Sequence, residues 1–108
     1  MRNESLKSVI DIALINDSCY LLLGDLGVFQ AREGIRKIPH QVINYGIREQ
    51  SMISFAVGLS ISGGYPFLYS INPFLTERCL EQIKNGPAYN NAPLCLITAG
   101  GTCDYNKL

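Results

Sequence analysis

Apolar residues recur along the first stretch of the chain at three- and four-residue steps (Leu6, Val9, Ile10, Ala13, Leu14), a spacing that predicts a helix over 5–15. Asn16-Asp17-Ser18 breaks it. The pattern then changes to a short continuous apolar run, Cys19-Tyr20-Leu21-Leu22-Leu23, ending at Gly24-Asp25, whose length and loop-forming exit predict a buried strand. Residues 30–39 are mixed and polar, a loop or short helix stopped by Pro39, and a second short strand is predicted over 41–44. Residues 48–62 give the clearest helix. Small and apolar residues cover it almost all round (Met52, Ile53, Phe55, Ala56, Val57, Leu59, Ile61), which implies burial on most faces. Gly63-Gly64 stops it, and a third strand follows at 67–71. Asn72-Pro73 opens another helix, Asn as the cap and Pro at the first helical position, predicted over 73–85 and ended by Gly86-Pro87. Pro93 leads into a fourth strand over 94–98, which exits at Ala99-Gly100-Gly101.

Strands alternating with helices predict an α/β fold, a mostly parallel sheet covered by helices on both faces. The helices at 48–62 and 73–85 are long enough for right-handed crossovers between parallel neighbours. Such sheets bind ligands outside the carboxyl ends of their strands. The segments to watch are therefore 24–29, 71–74 and 99–103, with the turn at 46–49.

Composition narrows this picture. The 108 residues make one small domain, and 47% hydrophobic against 17% charged residues is the balance of a packed globular unit. Nine basic residues offset nine acidic ones without a basic cluster, which argues against a nucleic-acid partner. The apolar runs are too short to span a bilayer and the N-terminus has no signal-peptide core, so a cytoplasmic protein without a membrane partner is expected. Cys19, Cys79, Cys95 and Cys103 sit at wide, irregular spacings and His40 is the single histidine. That set predicts buried free thiols and no metal site.

Glu49 stands out. It falls in the first turn of a helix that is otherwise nearly all apolar or small, at the edge of a buried region. An acid there can simply complement the helix dipole. A desolvated carboxylate at a helix start can also hold a hydrogen bond to a ligand ring nitrogen. The wording around it is specific: Ile43-Asn44-Tyr45-Gly46-Ile47-Arg48-Glu49-Gln50-Ser51-Met52, followed by Ala56-Val57-Gly58-Leu59, closely resembles the signature of transketolases and deoxyxylulose-phosphate synthases. Residues 73–85 (P-F-L-T-E-R-C-L-E-Q-I-K-N) resemble the next helix of that family, Asn91-Ala92-Pro93-Leu94 leading to Ala99-Gly100-Gly101 resembles a third block, and Gly24-Asp25-Leu26 matches the Asp-Leu after its first strand. The four motifs come in family order over about residues 5–105.

The resemblance implies a thiamine-diphosphate-binding fold and a pyrimidine-binding domain covering 1–108 in part. It implies that Glu49 is the acid that hydrogen-bonds N1′ of the aminopyrimidine and that Phe74 stacks on that ring, with Leu26 lining the pocket and Asp25 at the boundary between subunits. The cofactor does the hard chemistry and the protein supplies orientation and one well-placed acid. Arg78 matches a family arginine whose part, structural or near the substrate phosphate, stays open. His40 has no counterpart. The R-E-Q and E-Q-I wording resembles transketolases and deoxyxylulose-phosphate synthases more than the β chains of 2-oxo-acid dehydrogenases.

The chain also departs from that family. It stops just before the Gly-x-Thr-His stretch and carries no Gly-Asp-Gly with a downstream Asn for Mg²⁺ and the diphosphate. A fragment, a truncated gene product or one piece of a split enzyme is expected, silent alone and active in ketol transfer between sugar phosphates only with a diphosphate-binding transketolase subunit or a second copy. The alternatives are a non-catalytic remnant or interaction subunit, and a fragment of a deoxyxylulose-phosphate synthase.

Overall fold

The structure, a computed structural model, describes residues 2–101, so Cys103 and the end of the predicted 99–103 loop lie outside the described residues. Strands β1 (Cys19–Leu23), β2 (Val42–Asn44), β3 (Tyr65–Ile71) and β4 (Cys95–Ala99) form one parallel sheet in the order β2-β1-β3-β4. The register sets Leu21 beside Val42 and Phe67, and Tyr69 beside Leu23 and Ile97.

Alternation along the strands divides the core into two layers. Leu21, Leu23 and Tyr69 point to the face covered by α1 (Arg2–Ile15), where Leu6, Val9 and Ala13 meet them, and Ile35 of α2 (Arg32–Lys37) packs on the same side. Leu22 and Leu68 point to the opposite face, against Met52, Ile53 and Ala56 of α3 (Glu49–Ile61) and Leu75 and Cys79 beyond β3. A strand buried on both faces has no polar side to show, which is why β1 reads as an unbroken apolar run. Pro66 is tolerated inside the central strand β3 because β4 pairs only from Phe67 onward, so its missing N–H breaks no bond on that side. Gln41 is buried just before β2. Its side-chain nitrogen lies 2.9 Å from each of the Ala13, Asn16 and Cys19 carbonyl oxygens and ties the end of α1 to the start of β1.

Three expectations are corrected. The helix expected at 73–85 is broken into α4 (Asn72–Leu75), a 3₁₀ turn (Glu77–Cys79), α5 (Leu80–Ile83) and a π-helical turn (Lys84–Ala88). The first break falls at Thr76, whose backbone N–H (3.0 Å) and hydroxyl (2.8 Å) both donate back to the Asn72 carbonyl. At the far end Pro87 does not stop the chain. The wider turn lets Ala92 N–H reach the Pro87 carbonyl, while Asn90 Nδ2 donates to the carbonyls of Asn85 (3.0 Å) and Gly86 (2.8 Å). The second correction concerns α3, which is buried along Met52, Ile53, Ala56 and Val57 but leaves Phe55 and Ile61 open, Ile61 at 66% exposure. The third concerns the thiols: Cys19 and Cys79 are buried, Cys95 is exposed.

Candidate functional site

The chain leaves β1 to one side for β2 and returns on the other side for β3, so the sheet order reverses between β1 and β3. Loops leaving neighbouring strands in opposite directions open a crevice at their carboxyl ends. Here that crevice is a cleft of about 130 Å³ lined by Gly24, Asp25, Leu26, Ile47, Glu49, Ser70, Ile71 and Phe74. The four residues singled out in the sequence (Glu49, Phe74, Leu26 and Asp25) all border it. A larger groove of about 300 Å³ runs between α3 and the 81–86 segment, past Ser54, Glu81 and Asn85. It lies away from the strand ends and holds no buried acid.

Glu49 is the first residue of α3 and is 3% exposed. A buried carboxylate must be partnered. Ser70 Oγ donates to its Oε1 at 2.8 Å, and Arg78 Nη1 stands 4.0 Å from its Oε2. Ser70 is itself 1% exposed. The pair fits because Gly24 has no side chain: a Cβ there would sit 2.8 Å from Ser70 Oγ and 3.1 Å from Glu49 Oε1. Ser70 is not picked out by sequence reasoning, and Gly24 enters it only as part of the Gly24-Asp25-Leu26 motif. The available signal for Ser70 was a lone serine near the end of a largely apolar strand.

The loops around the cleft are fastened to one another. Asn44, at the end of β2, accepts from the backbone N–H of Asp25 and of Gly46 (3.1 Å each) and donates to Asp25 Oδ1 at 2.9 Å. Asp25 needs that support, since its φ of 57° is left-handed. Phe74 borders the cleft, and the Arg78 guanidinium lies 4.0 Å from the centre of its ring. Cys79 donates its thiol to the Phe74 carbonyl at 3.1 Å. Burial, helped by the negative charge of Glu49, pushes the Cys79 thiol up to about 11, with Arg78 pulling the other way. His40 is exposed at the far end of β2, away from the cleft.

A family model described as the transketolase pyrimidine binding domain matches residues 12–106. A protein of Rhodococcoides fascians described as an uncharacterized 33.6 kDa protein in the fasciation locus is 36% identical over 87 residues, 81% of this chain and 28% of that protein. One of the subunits of an apulose-4-phosphate transketolase, from Actinobacillus succinogenes, is 34% identical over 74 residues, 68% of this chain and 24% of its own length. Among solved structures, a split gene transketolase in an inactive β4 tetramer superposes with a TM-score of 0.78 at 26% identity, over 90% of this chain and 33% of that one. The chain thus spans about a quarter of the length of these relatives and a third of the structural neighbour.

Proposed function

This chain belongs to the transketolase pyrimidine-binding domain family, and we propose that its cleft is the half-site that takes the aminopyrimidine ring of thiamine diphosphate. The observation that carries the proposal is the buried Glu49 carboxylate, presented at the switch point of a parallel sheet beside an aromatic wall. The residues fit the group. Gly24 leaves bare the floor that any Cβ would fill, Ser70 engages one carboxylate oxygen, and the other faces Arg78 beyond hydrogen-bond reach. A volume of about 130 Å³ is also well below that of a whole-ligand pocket, typically about 300–1,000 Å³, and suits one ring of a larger cofactor.

In this reading Glu49 holds the proton at N1′, Phe74 offers a ring face for stacking, Leu26 closes the apolar side and Asp25 stands at the boundary between subunits. Thiamine diphosphate, when bound, supplies the carbanion chemistry that ketol transfer needs. Ser70 and Gly24 fix the height of the acid. Mg²⁺ and the diphosphate are assigned in this reading to a partner, a diphosphate-binding transketolase subunit or a second copy, as the family resemblance implies. The substrates in this reading are sugar phosphates exchanging ketol units.

Titration of thiamine diphosphate and Mg²⁺ into this chain mixed with a diphosphate-binding subunit tests the assignment. Binding is expected to require both proteins, and Phe74→Ala is expected to weaken it by up to about tenfold, the scale of one lost aromatic stack. Cofactor binding by the partner alone, unchanged by this chain, would leave a non-catalytic α/β unit.

A further inference from the structure

Arg78 touches both halves of the proposed site without bordering the cleft. It follows Phe74 by four residues, and its guanidinium lies 4.0 Å from the centre of that ring, the spacing of a cation stacked on an aromatic face. A guanidinium over a ring face still has N–H groups to offer a second partner. Here Nη1 stands 4.0 Å from Glu49 Oε2, a distance that transmits charge attraction without taking up a hydrogen bond. A second bond joins the same two segments, because the side chain of Gln50, the residue after Glu49, donates Nε2 to the Arg78 carbonyl at 3.1 Å. Cys79 and Thr76 fasten the turn from below by donating to the Phe74 and Asn72 carbonyls.

We propose that Arg78 is a positioning residue that couples Phe74 to Glu49, so that the stacking ring and the acid are held as one unit. The inference rests on the half-site reading above and adds to it a residue that neither touches the ring nor moves a proton. Two physical contributions separate cleanly. The planar stack fixes the Phe74 ring and so governs cofactor affinity. The charge holds the Glu49 carboxylate between Arg78 and Ser70 and so governs how well the acid meets its partner atom. Lysine keeps the charge and lacks the plane, whereas methionine keeps an apolar stem and lacks both.

The test uses this chain assembled with its diphosphate-binding subunit, reading thiamine diphosphate affinity and the rate at which the cofactor C2 proton exchanges with solvent deuterium. Arg78→Met is expected to weaken affinity about two- to fivefold and to slow exchange about tenfold. Arg78→Lys is expected to keep the affinity loss while exchange recovers to near the wild-type rate, a split that a merely structural role would not produce. Arg78→Met matching wild type in both readouts, or Arg78→Lys failing to recover exchange, would overturn the coupling. If Arg78→Met does not assemble, Arg78→Lys decides alone, since unchanged affinity then contradicts the stacking half. Glu49→Gln run in parallel separates the two readings. Wild-type exchange in that variant removes the half-site itself, whereas slow exchange there with an inert Arg78→Met removes only the coupling.

Discussion

Glu49 owes its place to two small residues more than to its own helix. Ser70 supplies a short hydrogen bond to the carboxylate, and Gly24 leaves the space in which the pair fits. Ser70→Ala is expected to strip a partner from a buried acid and cost about 1–3 kcal/mol of stability, read as a lower urea midpoint with an unchanged slope. An unchanged midpoint would mean that water replaces the hydroxyl. Gly24→Ala is expected to push Ser70 and Glu49 apart and to lower cofactor affinity in the assembled enzyme, with no loss if the pair can shift as a body. Cys79 sets a pH limit. Its folded pKa of about 11 lies above the ordinary value of 9.0, so the stability it contributes is complete below about pH 9 and is lost as pH rises towards 11. Cys79→Ser is expected to flatten that decline in alkaline denaturation curves. The acid and the aromatic were legible in the sequence, through motif wording. Ser70 was not, because a polar residue in a strand does not say which side it faces or that a carboxylate 21 residues earlier will meet it.

At the scale of elements, the sequence pattern located the four strands, α1 and α3 with boundaries moved by up to three residues, while α2 falls where a loop or a short helix was left open. The exception is the segment after β3. Its apolar spacing is helical throughout, yet Thr76 and Asn90 side chains bond to backbone carbonyls and offer the chain alternatives to one regular ladder. Those bonds depend on local geometry that a repeat of apolar positions does not encode. Gln41 shows the same blind spot from the other side: its position beside β2 was visible, its grip on three carbonyls of α1, the following turn and β1 was not. Gln41→Leu is expected to leave those buried carbonyls short of a donor and to cost about 1–3 kcal/mol by urea denaturation. A loss below a few tenths would show that the junction is held by packing alone.

On the scale of the whole molecule, the sheet order is what makes the cleft. A parallel α/β pattern was plain from the alternation of elements, but nothing in that alternation says that β3 returns beside β1 rather than beyond β2. The order follows from crossovers that bury α3 and the 72–88 segment on one face, a global outcome of packing. The same packing leaves Phe55 and Ile61 on the outer side of α3, and Leu80 and Tyr89 further along, open to solvent, Tyr89 at 85% exposure. Where such residues form a contiguous apolar patch of a few hundred Å², a partner usually covers it. Sedimentation of the chain by itself is expected to show concentration-dependent association. A monomer at all concentrations would mean that this surface needs no cover. The central claim is that Glu49 sets the protonation of a bound aminopyrimidine, and exchange of the thiamine diphosphate C2 proton with deuterium, followed by NMR in the assembled enzyme, tests it most directly. Glu49→Gln is expected to slow that exchange by several orders of magnitude while assembly is unaltered. Exchange at the wild-type rate would make Glu49 only a helix-terminus acid and contradict the account.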